Sequence, residues 1–258
     1  MEIGLTAALY GTVIPLMRAT PLIPYFGEEG LEEDQQIVND LRGRMGISKE
    51  VQVRRTPVKG IFEYAAFGAF LLPFTQSFLI PQRSEDWPLE EGAKFFIYAH
   101  EIAHLERNDV LKTTLILTIT FVVVAILFSL VVLIDMALTL GLIAGIVAMI
   151  IYSRYSEKKA DLRACEVATD DEIIEGALFF EQMRVEKLDS YRECKRLGLL
   201  IAVLMSENGD DPYDLFHPSL SERVTYIRNT IRDPRKKYEF DHRREELYQR
   251  TFPLLEVI

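Results

Sequence analysis

Basic charge is what this sequence is short of. Its 258 residues hold 29 Lys and Arg against 39 Asp and Glu, a formal net charge of -10, and without a basic stripe to neutralise phosphates a nucleic-acid partner is excluded. Cysteine is scarce as well. Cys165 and Cys194 are the two in the chain; both lie in helical contexts, which leaves no disulfide framework and fits free thiols in a reducing compartment. The start of the chain lacks the basic residues of a secretory signal. Residues 3–17 are apolar but short, with Gly4, Gly11 and Pro15 among them, so they make neither a signal peptide nor a convincing span. Residues 1–30 are expected to pack on the domain or to lie close to a membrane surface. Internal repeats and low-complexity tracts are absent.

Charge is also missing from one long run. Residues 113–152 contain a single charged side chain, Asp135, in a chain that is 49% hydrophobic with a mean hydropathy of +0.08. As one helix that run would be about 60 Å long, twice the roughly 30 Å hydrocarbon core of a bilayer. Two helices turning near Asp135 fit better, and a transmembrane hairpin with arms 113–134 and 136–152 is predicted. The second arm has 17 residues, the lower edge of a span, so a hairpin packed inside the protein or against a partner is the alternative. Arg107 and Lys112 precede the hairpin and Arg154, Lys158 and Lys159 follow it, with no basic residue at the tip. The positive-inside rule then places its base, and the flanking domain, in the cytoplasm.

Histidine is rare too, four in all, yet two of them stand in HEIAH, residues 100–104. Positions i and i+4 of a helix share a face, so His100 and His104 can reach one metal ion, while Glu101, about 100° round the axis, points towards a water on that metal. Pro88, Glu90 and Glu91 suit the start of such a helix. A zinc hydrolase needs a third protein ligand and an open position for water. In SRYSEKKAD, residues 153–161, Glu157 can be that ligand. Asp161, one turn on, can accept the free ring N–H of a ligating histidine. The plainer alternative is a solvated helix whose charges pair among themselves.

HEIAH, a membrane-like insert, SRYSEKKAD and HPSLSER (217–223) follow one another in the order of the HtpX-like zinc metallopeptidases, the family that also contains the CAAX prenyl protease, and the chain resembles that family from about residue 30 to 232. Where relatives often carry Asn-Ala-Phe-Ala on a substrate-binding strand, Ala66 to Phe70 read Ala-Phe-Gly-Ala-Phe. A BlaR-type sensor metallopeptidase is the second resemblance, through Arg107 and Asp109 after the first motif; its later carboxylate pairs with Cys-Asp, whereas Ala160 precedes Asp161 here.

The expected fold is therefore α+β and mainly helical: a zincin-like catalytic domain with a small sheet beside the HEIAH helix and an inserted transmembrane helical hairpin. Its parts are residues 31–112, the hairpin 113–152, residues 153–232 and a charged C-terminal tail, 233–258. Helices are expected over 31–45, 173–185 and 191–205, and strands within 51–58, 67–72 and 76–80. Ser219 and Glu222 form a capping-box pattern ahead of a buried stripe of Leu220, Val224, Ile227 and Ile231, with Arg223 on the polar side. His242 has no motif around it and belongs on the surface.

The expected chemistry is zinc-dependent peptide hydrolysis, with one zinc ion per chain on His100, His104 and Glu157. Zinc lowers the pKa of a bound water and polarises the carbonyl, and Glu101 carries the water's proton to the leaving amine. His217 is the candidate for oxyanion donor or displaceable fourth ligand. Equally, His217 and Arg223 tie the C-terminal helix to the core, Arg223 through Asp161. Substrates are expected to be membrane or membrane-proximal proteins, and the bilayer a partner. The competing class is a non-catalytic zinc-binding membrane module, which would have no use for Glu101.

Overall fold

The structure, a computed structural model, describes residues 28–29, 32–48, 50–55, 77–80, 91–197, 206–210 and 214–252. The N-terminal apolar segment, the strand expected over 67–72 with Ala66 to Phe70, the Pro88 helix start, most of the apolar run to residue 205 and the chain's last six residues lie outside them. Two compact units emerge, one from Met1–Trp87 with Glu101–Ser153, the other from Pro88–His100 with Arg154–Ile258.

In the first unit, β1 (Glu28–Glu29), α1 (Glu32–Met45), β2 (Gln52–Arg55) and β3 (Ser77–Ile80) come in chain order. The central strand β2 pairs antiparallel with β1 and parallel with β3. Helix α1 opens on Glu32, Glu33 and Asp34 and ends on Arg42 and Arg44, charges that complement its dipole at both ends. Val38, Leu41 and Met45 are its buried stripe. Gln35 fastens it to the strand: its side chain donates to the Val51 carbonyl at 2.9 Å and accepts from the Val53 amide at 3.0 Å.

Helix α2 (Glu91–Arg107) carries HEIAH and buries Ala93, Phe96, Ile97, Ala99, Ile102 and Ala103. It does not run straight on into the apolar segment. Asn108 takes a left-handed conformation, φ 54°, which asparagine tolerates better than most residues, and α3 (Asp109–Ser129) starts afresh. The turn of the hairpin falls at residues 130–133, just ahead of Asp135, which sits in the first turn of α4 (Ile134–Val167) where a carboxylate suits the helix N-terminus. Helix α4 has no break at Tyr152. Its 34 residues carry the apolar arm and SRYSEKKAD on one axis. Glycines let the arms approach closely: a Cβ on Gly141 would stand 2.7 Å from the Phe121 carbonyl oxygen, and one on Gly145 2.9 Å from that of Leu117. Leu111–Ser129 and Ile134–Val167 are long and apolar enough to cross a membrane.

The second unit holds α5 (Asp170–Arg196), α6 (Leu220–Thr230) and α7 (Pro234–Thr251). The residues expected to form one helix over 173–185 and to begin another at 191 belong to a single helix, started by a Thr169–Glu172 capping box. Ser219 caps α6 by accepting from the Glu222 amide, and Leu220, Val224, Ile227 and Ile231 are buried as the pattern requires. The charged tail is a helix with Asp233 at its N-cap and Pro234 in the first turn. It is held by ion pairs to α5: Arg243 to Glu175 at 3.1 Å, and Arg244 and Tyr248 to the fully buried Glu181 at 3.0 and 2.7 Å. His242 is exposed.

Gly176 of α5 sets the seat of α2, since a Cβ there would lie 2.4 Å from the ring of Phe96, which has no exposed surface into which to move. Gly176→Ala is expected to cost about 1–3 kcal/mol through overpacking, read as a lowered midpoint in thermal denaturation.

Candidate metal centre

The centre is built around a buried carboxylate. Asp161 of α4 has no exposed surface and accepts four hydrogen bonds, the capacity of a carboxylate. His100 Nδ1 donates to Oδ1 at 2.7 Å, Arg223 donates through Nε to Oδ2 at 2.9 Å and through Nη2 to Oδ1 at 2.7 Å, and the Tyr226 hydroxyl donates to Oδ2. Burial alone would push this carboxyl up, but the charges of Arg223 and His100 outweigh it and hold Asp161 at about 2. Tyr226 is pushed up by burial and by the carboxylate it faces.

Arg223 is buried, with its guanidinium 3.9 Å above the Phe180 ring. That corrects its expected place on the polar side of α6. It follows Leu220 by three residues and precedes Ile227 by four, so helical geometry sets it on the apolar face, and a matching anion makes the position tolerable.

With Nδ1 committed to Asp161, the other ring nitrogen of His100, Nε2, stands 3.3 Å from Glu157 Oε2. Burial disfavours a charged ring, yet Asp161 and Glu157 together raise His100 to about 9. The ring thus stands between two carboxylates. Two ligand atoms on one tetrahedral zinc, each about 2.0–2.2 Å from it, lie about 3.4 Å apart, and the observed spacing matches. His104 follows one turn later on α2. Its Nδ1 donates to Asp109 Oδ2 at 3.0 Å. His100, His104 and Glu157 form a group able to hold a metal ion, and the donor set of two imidazoles and a carboxylate is one that zinc accepts. Glu101 is buried on the same helix.

His217 is half-exposed and more loosely placed. Its Nδ1 donates to Asp214 at 2.8 Å and its Nε2 lies 3.8 Å from Glu157 Oε2. The bond to Asp214, more than its partial burial, sets its pKa, which is raised. Asp214 and Tyr226 have no part in the sequence reading of the site, and Asp109 enters it only through the BlaR-type resemblance. Asp214 precedes His217 by three residues, a spacing that can flag it; the contact of Asp109 with His104 depends on the bend at Asn108 and that of Tyr226 on the packing of α6, and neither contact leaves a mark in the sequence.

A histidine pair one turn apart on one helix, with a glutamate from a second, is a donor set compatible with zinc, and the family match defines the class as a metallopeptidase. The chain belongs to Peptidase family M48, which it matches over residues 89–231, more than half of its length. That agrees with the family indicated by the three motifs, though the resemblance read from the sequence began near residue 30. No curated protein and no solved structure matches the chain.

Replacing Arg223 by Met strands a fully buried carboxylate. A loss of about 3–5 kcal/mol is expected, measured by chemical denaturation of the metal-free protein.

Proposed function

We propose that the chain is a membrane-anchored zinc endopeptidase that hydrolyses peptide bonds of membrane or membrane-proximal proteins on the cytoplasmic side. The observation that carries this reading is the pairing of His100 Nε2 with Glu157 while Asp161 occupies Nδ1. Zinc, when bound there, supplies a nucleophilic water at neutral pH and an electrophile for the scissile carbonyl. Glu101, next to His100 on α2, takes the water's proton on its carboxylate and passes it to the leaving amine. His217, held at Nδ1 by Asp214, turns its Nε2 toward the Glu157 side of the site and, in its imidazolium form, donates from there to the oxyanion. Asp161, itself held by Arg223, keeps the His100 ring in the tautomer that has its proton on Nδ1.

Membrane anchorage is supported by the two apolar helices and by the exposure of their large side chains, among them Leu115, Ile119, Ile126, Ile143 and Ile151. Glu157 lies five residues beyond Tyr152 on unbroken α4, about 8 Å along the axis, which puts the ligand close to the membrane surface. Substrates tethered to the bilayer are thus favoured over soluble ones.

Glu101→Gln is expected to keep zinc and helical content while losing at least about 100-fold in peptide cleavage, the scale of a general base; equal turnover at equal metal content would overturn the enzymatic reading. For the topology, Asp135→Cys should react with a membrane-impermeant thiol reagent from the side opposite the catalytic domain. Labelling from the cytoplasmic side alone would contradict a spanning hairpin.

A further inference from the structure

Asp109 belongs to neither zinc-type motif, yet it is buried and joins three elements of the first unit. Its Oδ2 accepts from His104 Nδ1 at 3.0 Å, its Oδ1 accepts from the Tyr152 hydroxyl at 3.2 Å, and Arg107 Nη2 stands 3.5 Å from Oδ1. In an unbroken helix a residue five places after His104 would lie about 140° away round the axis, turned from the imidazole. The left-handed Asn108 ends α2 and redirects the chain. Asp109 thereby becomes the first residue of one hairpin arm and still reaches back to His104. Tyr152, at the end of the apolar stretch of the other arm, supplies the bond that closes the base of the hairpin.

We propose that Asp109 is the positioning residue of His104, and that Tyr152 positions Asp109 in turn, so that the pairing of the hairpin arms at their base sets the orientation of a metal-binding histidine. The chemistry is that of a carboxylate accepting Nδ1–H, which fixes the tautomer and presents the Nε2 lone pair. The hydroxyl of Tyr152 satisfies the second carboxylate oxygen and stops the group from rotating off the ring. Separation of the arms at this point releases Asp109 and loosens His104. The metal centre then responds to the state of the hairpin. This inference rests on His104 being a metal ligand.

The test uses the full chain in detergent micelles, with zinc affinity measured by chelator competition and ligand geometry by the visible absorption of the cobalt-substituted protein. Asp109→Ala is expected to weaken zinc binding roughly 10–100-fold. Tyr152→Phe, which removes one oxygen, is expected to weaken it about 2–10-fold, the worth of a single hydrogen bond, and to shift the cobalt spectrum. The double variant should be no weaker than Asp109→Ala alone, because Tyr152 acts through Asp109. Tyr155→Phe, on an exposed ring of the same helix, serves as the control and should match the wild type. Wild-type affinity and spectrum in Tyr152→Phe, or losses that simply add in the double variant, would overturn the proposal. Should Asp109→Ala lose its helical circular dichroism, the cobalt spectrum and affinity of Tyr152→Phe decide alone. A wild-type protein that takes up no zinc would instead remove the metal-centre reading itself.

Discussion

The carboxylate of Asp161 is the constraint on which the second unit depends. It is wholly buried, and such a group is tolerable only because an imidazole, a guanidinium and a phenol, drawn from α2 and α6, converge on it. Each donor gains from the same charge, so the three helices are held together by one anion rather than by separate pairs. Taking away Arg223, the permanent cation among them, leaves the carboxylate poorly compensated in a low-dielectric place. The same carboxylate orients His100, and structural and chemical demands meet on two oxygen atoms.

A second anion, Glu181, does similar work on α5. Arg244 and Tyr248 of α7 reach it, while Arg243 takes Glu175. The charged C-terminal segment is thus a packed helix whose polar side chains are its means of attachment, with Phe240 as its fully buried apolar contact. Around the metal centre, then, helices are located largely by ion pairs. Cationic side chains carry long apolar stems that cover surface as they deliver their charge, and Arg223 over Phe180 shows both functions in one residue.

The apolar hairpin follows other rules. Its arms approach through Gly141 and Gly145, where the facing groups are backbone carbonyls of α3. Close backbone approach of this kind is how helices associate when surrounding lipid offers no hydrophobic drive. The apolar arm and the residues Glu157 and Asp161 belong to the same helix, α4, which runs from the hairpin turn to Val167. Helix α3 is separated from α2 by the bend at Asn108, so the first motif meets the hairpin through a turn whereas the second shares a helix with one of its arms.

Much of this was legible in the chain itself. The i, i+4 spacing of His100 and His104, the i, i+4 spacing of Glu157 and Asp161, the forty-residue apolar run and the Ser219 cap are all local signals, set by helical period and by the cost of burying charge, and local signals survive in a sequence. What tertiary structure alone decided is of another kind. That Asp161 takes His100 Nδ1 and not some other proton, that Arg223 is buried, that Asp109 turns back onto His104 and that Tyr226 completes the carboxylate's shell all depend on which helix faces follow one another in space. A burial pattern that reads arginine as polar cannot foresee an arginine whose anion comes from a helix some sixty residues away. The sequence determined which groups were present and at what period; the packing of helices determined which of them met, because a buried charge is permitted only where the fold brings its partner.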